Sequence, residues 1–365
     1  MKYAAKQAND IVYAPFEDRF LEENRYFQGC PSVALTPKGR IFLSWVGGGT
    51  REPHIENYGV LSYSDDNGKT WSQLFVIPTS PERRVHTVDP QLWIAPDGRL
   101  HLFWAQNDIY PVGEGPDGFT VEGWVFCDCV HAQWQVICDN PDAPVPCFGA
   151  PVYAGPGFLR NRPIALPTGR ILYCSYDQTC DRYAYSISDD GGRTLVHRYG
   201  SKKLPVQHDE SMAYLMKDGR VRMMARTMTG WVAECYSADN GETWDDEARP
   251  TDIVNANTRF YIGRTPSGRI LMVGNDSPAT NRTDMAVYLS DDDGITFPYK
   301  RIIDRRAWIS YPDADYHNGH IYITYDADRN SLREILLLEC TEEEIMDENH
   351  PLVPRIISKP KTCTE

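Results

Sequence analysis

One short turn recurs six times along this 365-residue chain, and the recurrence restricts the fold more than any other feature. Its commonest form is Pro-x-Gly-Arg followed by Ile or Leu: Pro37 to Ile41, Pro96 to Leu100, Pro167 to Ile171 and Pro266 to Ile270. Lys217 to Val221 and His317 to Ile321 are altered copies. Proline presets the first turn dihedral and glycine takes the left-handed position, so each copy reads as a tight hairpin turn. Strand-like residues flank each turn, as in Ser32–Leu35 before the first and Ile41–Trp45 after it. The turn glycines stand at 39, 98, 169, 219, 268 and 319, with spacings of 59, 71, 50, 49 and 51 residues. Such a period fits one four-stranded sheet per repeat. An all-β, six-bladed β-propeller with four-stranded antiparallel blades is therefore expected, one domain over 1–365 with a short C-terminal extension over 341–365.

The two longest intervals hold Val112 to Val121 and Asn140 to Gly157, rich in Gly and Pro and expected as surface insertions. Ile11–Ala14 and Glu334–Leu338 are expected to share a blade, first strand with last. Thr341, followed by acidic residues, reads as the cap of a short helix.

A second pattern, Ser-x-Asp-x-Gly-x-Thr before a large apolar residue, begins at Ser64, Ser188, Ser237 and Ser290 and ends at Trp71, Leu195, Trp244 and Phe297. The aspartate and hydroxyls can satisfy the backbone donors of the turn, and the large side chain can plug the space between sheets.

Composition narrows the function. A net charge of −14 argues against nucleic acid, which calls for a basic stripe. No apolar run is long enough to span a membrane as a helix, and the N-terminus lacks a secretory pattern, so a cytoplasmic protein is expected. The ten cysteines follow no metal-ligand spacing and are expected to be reduced, mostly buried thiols; no metal or organic cofactor is implied. Abundant aromatics (9 Trp, 21 Tyr, 12 Phe) suit a sheet-rich fold and a sugar site.

The second pattern resembles the Asp-box of the sialidase (neuraminidase) superfamily, the BNR-repeat six-bladed propellers. That resemblance implies a retaining glycosidase with a tyrosine nucleophile, a glutamate that takes its proton, a carboxylic acid/base, and three arginines that grip the substrate carboxylate. Glu210 matches the glutamate, eight residues ahead of the Asp218-Gly219 turn. Tyr311, in Ile309–Asp313 ahead of the last turn, matches the tyrosine. Glu52 stands at the acid/base position, where the family has aspartate, with Glu56 its close rival. Of the three arginine positions, the first falls on Gly29 and the second on Val232, while Arg282 matches the third. Arg162, Arg259 and Arg264 are further arginines able to fill in.

Other residues stand where inner strands begin. Asp89, before Pro90, faces the mouth of such an architecture; His208 adjoins Asp209 and Glu210; Trp231 is a sugar-stacking candidate. The resulting expectation is exo-acting hydrolysis of a terminal acidic or deoxy sugar from a glycan or glycoconjugate, by Tyr311, Glu210 and Glu52. Arg282, Arg162, Arg259, Asp89, His208, Glu56 and Trp231 would bind substrate. Two other classes remain open: a lyase acting on uronic-acid-linked glycans, and a non-catalytic carbohydrate-binding propeller.

Overall fold

The computed structural model describes residues 3–360, without the side chains of 128–130. These residues form six antiparallel sheets in chain order, the strand arrangement of a six-bladed β-propeller. Among them no helix is long and apolar enough to cross a membrane. All six turn glycines have φ between 81° and 96°, the left-handed region a side chain disfavours. Five of the turns close with a backbone bond such as Gly39 N to Thr36 O at 2.9 Å, and at the sixth His317 pairs with His320 in the strand ladder.

The chain divides into two compact units, one of 1–159, 328–335 and 356–365, the other of 160–327 and 336–355. The first unit holds two sheets. The first runs Gln28–Leu35, Ile41–Gly47, Tyr58–Ser64, Ser72–Pro78, with Val12–Tyr13 added outside. That short strand pairs with Phe75 and Val76, whereas Glu334–Thr341 lies in the sixth sheet. The expected sharing of one blade by first and last strands is thus wrong, because Val12–Tyr13 extends the outer edge of blade one.

The second sheet contains unusually long strands, Leu100–Pro111 and Trp124–Cys138. Its expected insertions are partly strand: Phe119–Val121 pairs with the long strand, and Val152–Pro156 is the outermost strand. Gly and Pro in these stretches masked short edge strands, where neither residue is excluded. Phe42, Leu61, Leu92, Leu102 and Trp104 are among the core residues of this unit.

The second unit holds the fourth and fifth sheets and most of the third and sixth. Its fourth sheet is Met212–Leu215, Val221–Ala225, Trp231–Ser237 and Arg249–Val254. Its sixth is Ile309–His317, His320–Ala327, Glu334–Thr341 and Arg355–Ser358. Met224, Val232, Ile262, Met272, Val287 and Ile323 share one core cluster. The short helix Glu342–Met346 has the expected Thr341 cap, in a capping box with Glu344.

The four Asp-boxes are built alike. In the first, Asp66 accepts from the Thr70 amide at 2.9 Å and the Thr70 hydroxyl at 2.6 Å, while Ser64 accepts from the Gly68 amide at 2.8 Å. The aromatic plug is visible at Trp244, whose ring meets Tyr185 edge-on at 5.7 Å.

Four residues within or just before the first strands of their sheets are strained. Cys30 and Asp89 in the first unit, and Glu210 and Tyr311 in the second, all have positive φ, from 30° to 59°. Register shifts accompany Cys30, Asp89 and Tyr311. A bulge re-aims the side chain it carries, and proline follows all three, where a missing N–H costs no ladder bond. Strain of this kind concentrates at functional sites.

Candidate active site

The register of the fourth sheet sets the centre of the site. Met212 pairs with Met224, and the same register continued by two residues sets Glu210 opposite Arg226. The Arg226 amide donates to the Asp209 carbonyl at 3.1 Å, and its Nη1 donates to Glu210 Oε2 at 2.6 Å. Tyr311, from the bulge of the sixth sheet, donates its hydroxyl to Glu210 Oε1 at 2.8 Å. Arg226 Nη1 also lies 3.1 Å from the Tyr311 oxygen, so one guanidinium touches both groups.

Arg160 completes this cluster. Its Nε donates to Glu210 Oε1 at 3.2 Å, and its guanidinium lies 4.6 Å from the centre of the Tyr311 ring. Asn161 fixes the backbone by donating to the carbonyls of Glu210 and Ser211. Glu210, Arg226, Arg160 and Tyr311 are all buried. Burial alone would push the Glu210 carboxyl up, but Arg226, then Arg160 and His208, hold it well below the usual carboxylate range. Glu210 is therefore ionised. Its neighbour Asp209 is shifted the opposite way: burial pushes it up to about 6, against the pull of Lys203 at 3.2 Å.

The other arginines in this unit have distinct surroundings. Arg259, buried, donates to the carbonyls of Arg160 at 2.7 Å and Tyr311 at 2.9 Å. Arg282 donates to Ser310 Oγ at 3.3 Å and the Asn257 carbonyl at 3.1 Å, and lies 5.4 Å from the Tyr311 ring centre. Arg162 pairs with Asp313 at 3.3 Å and Asp315 at 3.0 Å. Arg264 pairs with Asp293 and donates to the Leu215 carbonyl. Val232 is fully buried in the apolar core. His208 contacts Gln178 at 3.0 Å, and Trp231 is 43% exposed at the head of its strand.

In the first unit, Glu52 is half-buried, with Arg329 at 3.4 Å and the Cys30 thiol at 3.8 Å. Glu56 is exposed beside His54 at 3.9 Å. Donor atoms of Cys30, Glu52 and Asp89 all lie within 4.8 Å of one another, a set able to hold a cation. The guanidinium of Arg329 against Glu52 opposes one. The eight described cysteines are free thiols, buried except Cys147 and Cys180; the Cys129 side chain and Cys363 lie outside the described residues.

Arg226, Arg160 and Asn161 were not singled out from the sequence. Hairpin register was the available signal for Arg226, since the turn at Gly219 sets it opposite Glu210. Arg160 gave none beyond its nearness to Arg162.

Residues 147–323 match the family described as BNR repeat-like domain. By structure the chain is similar to the NanB sialidase of Streptococcus pneumoniae, at 16% identity and a TM-score of 0.67, over 89% of this chain and 68% of that one. It is similar to the leech intramolecular trans-sialidase at 14% identity and 0.70, over 93% and 71%. The intramolecular trans-sialidase from Ruminococcus gnavus matches at 14% and 0.66, over 95% and 100%. Identities this low speak for the fold alone. No curated protein matches the chain in sequence. The unit that repeats in the turns is the unit that repeats in the sheets, and it gives this chain the six-bladed β-propeller fold of the sialidases to which its structure is similar.

Proposed function

We propose that the protein is an exo-acting retaining glycosidase that removes a terminal acidic or deoxy sugar from a glycan or glycoconjugate. The observation that carries this reading is the Tyr311 hydroxyl donating to an ionised Glu210 at 2.8 Å, with Arg226 touching both. The names of the structurally similar proteins, sialidases and trans-sialidases, agree with a glycoside as substrate.

In this reading the Tyr311 oxygen attacks the anomeric carbon as its proton passes to Glu210. A carboxylate held well below its usual range is a weak base, so the proton moves as the new C–O bond forms and not before it. Arg226 offsets that weakness by stabilising negative charge developing on the phenolic oxygen. Glu52 gives its proton to the leaving oxygen. Water then attacks the anomeric carbon of the tyrosyl-linked sugar, loses a proton to Glu52, and the Tyr311 oxygen recovers its proton from Glu210. In this reading Arg282, whose guanidinium lies 5.4 Å from the centre of the Tyr311 ring, binds the substrate.

A panel of chromogenic sialosides, uronides and rhamnosides tests it, with Glu210→Gln and Tyr311→Phe as controls. Release of chromophore that both substitutions abolish supports the proposal. Turnover unaffected by both refutes it, and an unsaturated product absorbing in the ultraviolet would indicate a lyase instead.

A further inference from the structure

We infer that Asn57 is a positioning residue for Glu52, holding the loop that carries this carboxyl in one shape. The inference rests on the reading of Glu52 as the acid/base of the proposed reaction.

Gly47 pairs with Tyr58 where two neighbouring strands of the first sheet meet their connection, so 48–57 form the loop between them. That loop has no helix or strand of its own, and fixing it in one shape costs entropy that local bonds must offset. Asn57 supplies those bonds. Its Nδ2 donates to the Gly48 carbonyl at 2.6 Å and to the Arg51 carbonyl at 3.0 Å. Its Oδ1 accepts from the His54 amide at 2.6 Å, and His86 Nε2 lies 3.3 Å from the same oxygen. A side-chain amide has two donor hydrogens and two acceptor lone pairs, so all four are engaged. Asn57 is 1% exposed, which shields these bonds from water.

The bonds fall on both sides of Glu52. The Arg51 carbonyl belongs to the peptide that enters Glu52, and the His54 amide lies just beyond it. One side chain thereby holds the backbone from Arg51 to His54 at both ends. Asn57 is itself fixed, its amide donating to the His54 carbonyl and its carbonyl accepting from the Thr79 amide, both at 3.0 Å. His54 is buried, and its Nδ1 accepts from the Glu56 amide at 3.1 Å. A Cβ at Gly49 would stand 2.6 Å from that ring, so the glycine admits His54 to the loop. The Glu52 carboxyl meets Arg329 and Cys30, whereas its backbone is set by Asn57.

A general acid acts only within hydrogen-bond reach of the leaving oxygen, and a displacement of about 1 Å removes much of its effect. An alkoxide leaving group needs that proton; a nitrophenolate departs nearly unaided. The test therefore compares methyl and 4-nitrophenyl glycosides of N-acetylneuraminate, glucuronate and rhamnose on the full chain. It reads kcat/KM, which covers the step in which the leaving group departs, for the unaltered protein, Asn57→Asp and Glu52→Gln. Asn57→Asp keeps the size and an acceptor oxygen and withdraws both donors. It should lower kcat/KM for a methyl glycoside at least about tenfold more than for its 4-nitrophenyl partner, as Glu52→Gln should more strongly. A merely loosened fold would slow both glycosides alike. Asn57→Ser, smaller and neutral, carries the same expectation should the aspartate variant not fold. Equal losses, or none, in the Asn57 variants beside a selective loss in Glu52→Gln overturn the inference alone. If Glu52→Gln is not selective either, the acid/base reading fails and the inference with it.

Discussion

Glu210 and Arg226 face one another across a single hairpin, and the 2.6 Å bond between them ties the candidate proton acceptor to the strand that follows it. Both are buried, so their charges depend on each other. Arg226→Met should destabilise the fold by roughly 3–5 kcal/mol by leaving a buried carboxylate without its main partner. Turnover should fall by at least about a hundredfold, and Arg226→Lys should recover stability better than activity. Thermal unfolding and steady-state kinetics on the pair of variants check this.

Asp209 predicts an unusual pH dependence. Its carboxyl is raised to about 6 from an ordinary 3.8. Between those values the folded chain holds a proton that the unfolded chain has released. This group's contribution therefore favours folding in acid and is lost as pH rises through the folded value. Asp209→Asn removes the titration. The stability of the variant relative to the wild type should therefore be greater near about pH 7.5 than near about pH 5, by ~1–2 kcal/mol. Denaturant unfolding at both pH values measures the difference.

Arg259 holds the carbonyls of Arg160 and Tyr311, so it acts on the site through the backbone. Arg259→Met should lower kcat by about tenfold or more with little change in KM, since two buried acceptors lose a charged donor. A KM effect larger than the kcat effect would instead indicate direct contact with substrate.

Val232 separates two explanations of a missing arginine. It is fully buried among apolar side chains, so Val232→Arg should lower stability by several kcal/mol and give no new affinity for sugar acids. A folded variant that binds such acids more tightly would show that the position opens on the site.

The blades were legible because turn chemistry is local: Pro, Gly and Arg recur at fixed offsets whatever surrounds them. The Glu210–Tyr311 pairing was also reachable, through family spacing. Arg226 was harder, although it ends the same hairpin, because its role depends on register and not on composition. Arg329 left no local signal at all. Only the fold lays its stem where a Gly29 Cβ would stand, 2.8 Å away, and the glycine alone reads as a lost residue. Edge strands such as Val152–Pro156 were hidden by their Gly and Pro content.

In the proposed reaction Tyr311 bonds covalently to the sugar. The most direct measurement is mass spectrometry of the intact protein and its peptides after incubation with a fluorinated glycosyl fluoride of whichever sugar the panel identifies. Fluorine slows both steps and the good leaving group restores the first, so the intermediate accumulates. One added glycosyl mass is expected on the peptide bearing Tyr311, absent in Tyr311→Phe and diminished in Glu210→Gln. Full turnover of the parent glycoside by Tyr311→Phe, or an adduct on another residue, would contradict it.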